Sequence, residues 1–196
     1  IAAKLAGRER VGTMAKVARP AQLLASASTT EVVMSGANRP NFARFCAVNS
    51  SRWARMQALA DALQEQFKVV VTVIGADLET NDGAAQLHAD IKARGIVLSA
   101  LVNNAGYGAF GEFKDSALEP ELAMMQLNMN TVVVLTKLFM LDLLATRGKI
   151  LNTASTAAFQ PGPYMAVYYA TKSFVLSFSE AIAAELEDTG VTVTAL

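Results

Sequence analysis

Apolar and polar positions along the chain follow two rhythms. Short apolar or β-branched runs fall at 31–35, 68–74, 96–102, 149–153 and 191–196, the first ending at Gly36. They read as strands. The stretches between them carry helical spacing. In 51–67, Trp53, Met56, Leu59, Ala60 and Leu63 recur every three or four residues, and in 80–94 Leu87 and Ile91 do the same before Gly95. That spacing places apolar side chains on one helix face, and glycine is a common stop. One helix is predicted from near Pro120 to about 145, with proline in its tolerated first turn. Another is predicted over 164–187, ending before Gly190.

Strands alternating with helices predict right-handed crossovers. The expected fold is α/β, a three-layer doubly wound parallel sheet, incomplete at both edges. A hydrophobic share of 53% against 17% charged residues suits a sheet covered on both faces. Residues 31–196 are expected to form one domain. Residues 1–30 carry Lys4, Arg8, Arg10, Lys16 and Arg19 against Glu9 alone. They read as a basic extension without fixed structure, or as a targeting segment.

Charge then narrows the function classes. Lysine plus arginine balances aspartate plus glutamate at 17 each. No global footprint for nucleic acid or an anionic membrane results. The apolar stretch 131–145 is interrupted by Lys137 and Asp142 and is shorter than a bilayer span of about 20 residues. No membrane partner is expected. Cys46 is the one cysteine, which excludes an internal disulfide and points to a cytoplasmic setting. His88 has no second histidine or cysteine to complete a metal site, so no metal is expected.

In doubly wound sheets ligands bind beyond the carboxyl ends of the strands. Several polar residues fall there. Tyr168 and Lys172 stand at i and i+4 on a predicted helix and share a face. An ammonium beside a phenol favours the phenolate, which suits proton exchange with an alcohol or carbonyl. Taken alone, the spacing also fits a surface pair. Ser155 follows the strand 149–153 and precedes Tyr168 by 13 residues. Its hydroxyl suits charge developing on a substrate oxygen, or a simple turn cap. Asn103-Asn104-Ala105-Gly106 follows another strand, where small residues allow close backbone approach to a ligand, or form an ordinary turn. Asp77-Leu78 follows the strand 68–74, and Asp77 could equally cap a helix. Asn128 lies within a helix among apolar residues and reads as a solvated position or a polar site.

Together these residues resemble the short-chain dehydrogenase/reductase family, from about Ser51 to Leu196. The resemblance implies a Rossmann-like fold and an NAD(P)-dependent oxidoreductase interconverting a carbonyl and an alcohol. It implies Tyr168 as general acid/base and Lys172 as the residue that tunes it and binds the nicotinamide ribose. Ser155 would bond the substrate oxygen, and Asn128 would hold a water for proton relay. Asn104, Ala105 and Gly106 would line the cofactor cleft, with Asp77 and Leu78 against the adenine. Residues 161–165 would form a substrate-side loop. The partners implied are a small-molecule carbonyl or alcohol and a second copy of the chain, bound through the helices bearing Asn128 and Tyr168.

The start of the chain departs from the family. Ser35-Gly36-Ala37-Asn38-Arg39 matches the opening of the Thr-Gly-x-x-x-Gly-x-Gly turn, and Gly36 is the candidate phosphate contact. The next two glycine positions hold Pro40, which lacks an N–H, and Phe42, which blocks close approach. A second strand at 43–48 would begin only seven residues after Ser35, too few for a parallel crossover of a dozen or more. This segment is expected to pair differently or not to be ordered, leaving the strand 68–74 without its neighbour. The family also continues beyond the position of Leu196. A catalytically impaired fragment, acting as a binding partner or nucleotide sensor, is therefore the alternative function. Arg52 and Arg55 hint at a 2′-phosphate and lean the cofactor towards NADP over NAD.

Overall fold

The computed structural model describes residues 53–196, together with the backbone of 32–36 and 44–48. The expected extension at 1–30, Pro40, Phe42 and Arg52 lie outside the described residues. The strands are β1 (Val32–Gly36), β2 (Arg44–Val48), β3 (Val71–Gly75), β4 (Leu98–Asn103), β5 (Lys149–Asn152) and β6 (Thr192–Ala195). They form one sheet in the order β3-β2-β1-β4-β5-β6. The helices are α1 (Trp53–Phe67), α2 (Gly83–Ala93), α3 (Leu118–Met125), α4 (Thr131–Leu138), α5 (Met140–Thr146) and α6 (Ala166–Glu185). The arrangement is Rossmann-like.

The spacing predicts the buried face of α2 fully and that of α1 in part. On α2 these are Ala84, Leu87 and Ile91, and Gly95 ends the run at φ +69. On α1 only Met56 and Ala60 are buried, while Trp53 and Leu59 stay exposed. The main core joins Leu98, Leu101 and Ile150 of the sheet to Leu87, Ile91, Leu135, Phe139 and Leu143 of the helices. At about 1.5–3 kcal/mol for each large aliphatic or aromatic side chain, this cluster dominates the domain's stability.

Five strands run one way and β1 runs the other. β1 is antiparallel to both β2 and β4, whereas β2 with β3, β4 with β5, and β5 with β6 are parallel. Only residues 37–43 join β1 to β2, enough for a hairpin and too few for a crossover. The expectation that this segment pairs differently is met. The expectation that the strand 68–74 loses its neighbour is not. β2 pairs with β3 from Arg44 opposite Val71 to Val48 opposite Gly75, and α1 makes the crossover.

The long helix predicted from Pro120 to about 145 is instead three helices. A π turn at Gln126–Asn130 joins α3 to α4. At fully buried Phe139 the path bends by 53° into α5. Among the described residues no single helix is long and apolar enough to cross a membrane, although the bent pair passes by length and composition. The helix predicted from Tyr164 begins only at Ala166, because Tyr164 itself is left-handed at φ +67.

Candidate active site

The carboxyl edge of the sheet is held by a buried chain of amides. Asn103 at the end of β4 donates to Asn152 Oδ1 at the end of β5 (2.8 Å) and to Thr136 on α4 (3.2 Å). Asn152 donates in turn to Ser179 on α6 (2.9 Å), which donates to Val175 O. One polar network thus locks two strands to two helices just beneath the edge. Directly above it, Thr153 N–H donates to Asn103 O and the Thr153 hydroxyl donates to Asn104 Oδ1, both at 2.9 Å.

Lys172 arrives from α6. Thr171, Lys172, Val175 and Ser179 form the buried face of that helix. The Lys172 ammonium donates to Thr153 O at 2.8 Å and lies 5.8 Å from the centre of the Tyr168 ring. Burial lowers the Lys172 pKa from 10.5 to about 8. A single carbonyl acceptor leaves two of its three N–H donors for a ligand. Tyr168, one turn earlier, lies beside Gly108, where a Cβ would come within 2.9 Å of its ring. The adjacent Tyr169 has a different task. Its ring presses on Gly162, where a Cβ would be only 2.3 Å away, so it holds the loop preceding α6.

Asn128 is buried, at 1% exposure, which rules out a solvated helix position. It sits in the π turn, a feature often found at functional sites. Its amide donates to Tyr107 O (2.9 Å) and Thr171 Oγ1 (3.0 Å), and its Oδ1 accepts the Tyr107 N–H (3.2 Å). Both donors are therefore used, and a relay water would find only a remaining lone pair on Oδ1. Thr171 links Asn128 to α6 next to Lys172. Gly106 backs onto the same pair, since a Cβ there would lie 2.9 Å from Asn128 Oδ1 and 3.6 Å from Lys172 Nζ. Asn130, by contrast, is exposed and donates to Gln126.

Other predicted site residues are placed less simply. Ser155 Oγ accepts the Ala157 N–H at 3.1 Å, so the cap reading is realised for the short turn Thr156–Phe159. Ser173 on α6 anchors that turn through Ala158 O. Asp77 does not cap α2, whose preceding residue is Asp82. Instead its Oδ1 accepts the Glu79 N–H in a tight turn. Leu78 is fully buried in the core and its carbonyl accepts from Thr131. Ala105 is buried with the same core.

Gly36 is placed apart from the other candidates. Because β1 is reversed, Val32 stands opposite Asn103 and Gly36 opposite Leu98. Gly36 thus reaches the amino end of β4, a strand's length from the edge that holds Asn103 and Lys172. It does not fit a diphosphate contact at that edge. At Gly106 the missing Cβ lets Asn128 Oδ1 pack close, and beside it the N–H donors of Lys172 not taken by the Thr153 carbonyl fit the ribose hydroxyls of a dinucleotide.

Next to Tyr168 lies a small pocket, walled in part by Phe113, Glu121, Tyr164 and Met165. The Gly111 N–H donates to Tyr164 O at 2.8 Å, and Phe110 stacks on Tyr164 at 5.6 Å. Tyr107, Thr171, Thr153, Gly108 and Glu121 were not singled out from the sequence. Thr171 alone carried a signal there, as a polar residue inside the Tyr168-x-x-x-Lys172 segment. Among the described residues no cluster of histidine, cysteine and acidic side chains could hold a metal.

A sequence profile of the family described as short chain dehydrogenase matches residues 42–196. The chain is 29% identical over 145 residues to 17-beta-hydroxysteroid dehydrogenase type 3 of Mus musculus, covering 72% of this chain and 47% of the relative. It resembles the crystal structure of the bulky-bulky ketone specific alcohol dehydrogenase from Comamonas testosteroni, with TM-score 0.71 and 29% identity over 78% of this chain and 61% of that one. A short-chain dehydrogenase from Sphingobium yanoikuyae in complex with NADPH superposes with TM-score 0.70 and 28% identity, covering 78% and 59%. The chain spans about half the length of the curated relatives it matches. With that match over most of its length and a Rossmann-like sheet to carry it, the chain belongs to the short-chain dehydrogenase/reductase family of oxidoreductases.

Proposed function

We propose that the chain interconverts a carbonyl and an alcohol with NAD or NADP, using Tyr168 as general acid/base. The observation that carries this reading is Tyr168 lining a pocket one helical turn from the buried Lys172 ammonium. In the reducing direction the Tyr168 hydroxyl gives its proton to the carbonyl oxygen, and in the oxidising direction it takes the proton back. The Lys172 cation favours the negative charge left on the phenolic oxygen. Ser155 donates its hydroxyl proton to the same substrate oxygen while still capping its own turn. Asn128 is a positioning residue that holds Tyr107 and Thr171. A bound nicotinamide supplies the hydride.

Lys172, Asn104, Ala105 and Gly106 would hold the ribose and nicotinamide. Asp77 and Leu78 would contact the adenine. Arg55, exposed on α1, and the NADPH-bound relative support NADP over NAD. The relatives named for a hydroxysteroid and for bulky ketones support an apolar substrate. The proposed assembly is a homo-oligomer through the helices bearing Asn128 and Tyr168. Exposed Leu122, Met125 and Leu138 flank the first of these, and light scattering on the purified chain tests it.

The central test mixes the full chain with NADPH and acetophenone and follows NADPH oxidation. Tyr168→Phe should lower the rate by about 10²–10⁴. An undiminished rate would remove Tyr168 from the chemistry.

A further inference from the structure

The loop that leaves β4 meets α6 through bare backbone at two glycines, Gly106 and Gly108, with Tyr107 between them. The Tyr107 N–H donates to Asn128 Oδ1 (3.2 Å), and the Asn128 amide donates to Tyr107 O (2.9 Å). That clamp fixes the strip Gly106-Tyr107-Gly108 in place. Each glycine then faces one member of the pair on α6. A Cβ at Gly106 would lie 3.6 Å from Lys172 Nζ, whereas at Gly108 it would lie 2.9 Å from Cδ2 and 3.0 Å from Cγ of Tyr168.

Carbon atoms rest at about 3.5–4.0 Å, so a methyl group at Gly108 would push the ring away by roughly 0.5–1 Å. Cγ is the ring atom nearest the backbone and lies on the axis about which the ring turns. A ring flip therefore cannot clear the contact, and χ1 must change. The third neighbour, the Met165 methyl at 3.1 Å, is the free end of a flexible side chain and can yield. Among the described residues the Tyr168 hydroxyl makes no hydrogen bond, so packing places the ring. Backbone conformation does not call for glycine here, since among the described residues the glycines with positive φ are Gly95 and Gly190. What Gly108 supplies is space.

We propose that Gly108 is a positioning residue, its missing Cβ setting where the Tyr168 ring stands beside Lys172. The role rests on Tyr168 being the general acid/base. A displacement of this size at a reacting group costs about 10² in rate.

The test is a double-mutant cycle on the full chain, with aromatic NMR spectra and turnover alongside. Gly108→Ala should lower the urea midpoint of the parent chain and leave it unchanged in the Tyr168→Ala background, where no ring remains to meet the methyl group. Should Gly108→Ala alone fail to fold, the double variant should regain a cooperative transition. The Tyr168 ring resonances, assigned by their loss in Tyr168→Phe, should move in Gly108→Ala. They should stay in place in Gly111→Ala, where a Cβ has nothing within 4 Å. With NADPH and acetophenone, Gly108→Ala should lower kcat about a hundredfold while KM for NADPH stays nearly unchanged, because Lys172 faces Gly106 instead. An equal cost in both backgrounds, or unmoved Tyr168 resonances, overturns the proposal. Coupling with an undiminished Tyr168→Phe rate would remove the acid/base reading on which the role rests. An unchanged kcat in Gly108→Ala beside an inactive Tyr168→Phe would remove the role alone.

Discussion

The edge formed by β4, β5 and α6 gathers the candidate site residues, whereas β1 carries Gly36 to the opposite end of the sheet. Around Asn103 and Lys172, β4 and β5 present their carboxyl ends together, and side chains from four elements form a polar network. In β1 the chain runs the other way, so Gly36 is delivered to the amino end of β4. The lesson is that a glycine-rich turn works only at the end of a strand pointing towards the site. Strand order alone does not ensure it, since β1 lies between β2 and β4 and still carries Gly36 away from that edge.

The sharpest way to break this contrast is to damage the intact edge. Lys172→Met should reduce turnover by at least about a hundredfold, within the range for proton-transfer groups, while the chain stays folded. Steady-state NADPH oxidation with a circular dichroism spectrum checks it, and a small loss would mean the ammonium is not part of the chemistry.

Asn128→Ala should cost about 2–3 kcal/mol in urea unfolding. It strips the Tyr107 N–H and C=O of their partner and releases Thr171. A loss under about 0.5 kcal/mol would show that the latch between the loop and α6 is replaceable.

The pH dependence sharpens the contrast further. Lys172 has a folded pKa of about 8 against an ordinary 10.5, so between these values the unfolded chain binds more protons than the folded one. Stability should therefore rise as pH climbs from 8 towards 10.5, by on the order of 2 kcal/mol, with the burial cost fully present below 8. Urea midpoints at pH 7.5, 9 and 10 read this, and Lys172→Met should lack the rise. An alkaline limb in the turnover profile near pH 8 should accompany it, as the ammonium that supports Tyr168 is lost.

The smallest effect concerns the other edge. If no glycine cradle meets the diphosphate, the adenosine half of the cofactor adds little. NADPH should bind no more than about tenfold more tightly than reduced nicotinamide mononucleotide, a gap of about 1.4 kcal/mol. A ratio of several hundredfold would show that the diphosphate is held by residues other than Gly36.

Much of the intact edge was legible because its signals are local. Tyr168 and Lys172 need only one helical turn to share a face, and Ser155 and Asn104 need only follow their strands. Asn128 was legible as a residue and not as a role, since its partners Tyr107 and Thr171 are 21 and 43 residues away. Gly108 and Glu121 gave no local sign, because a close approach to the Tyr168 ring and an orphaned carboxylate oxygen exist only between elements. The single long helix was misread for a related reason. Neither the π turn at Gln126–Asn130 nor the bend at Phe139 is marked by proline or glycine.

By itself the sequence determined the alternation of strands and helices, the buried face of α2, the shared face of Tyr168 and Lys172 and the impossibility of a normal first crossover. Each follows from spacing along the chain, through helical period, turn chemistry or linker length. Tertiary structure alone decided that β1 reverses and keeps β2 beside β3, that Asn128 is latched rather than solvated, and that Glu121 Oε2 is buried unpaired among the described residues. These outcomes depend on which edge a strand finds and which atoms meet across the fold, and no short-range spacing encodes them.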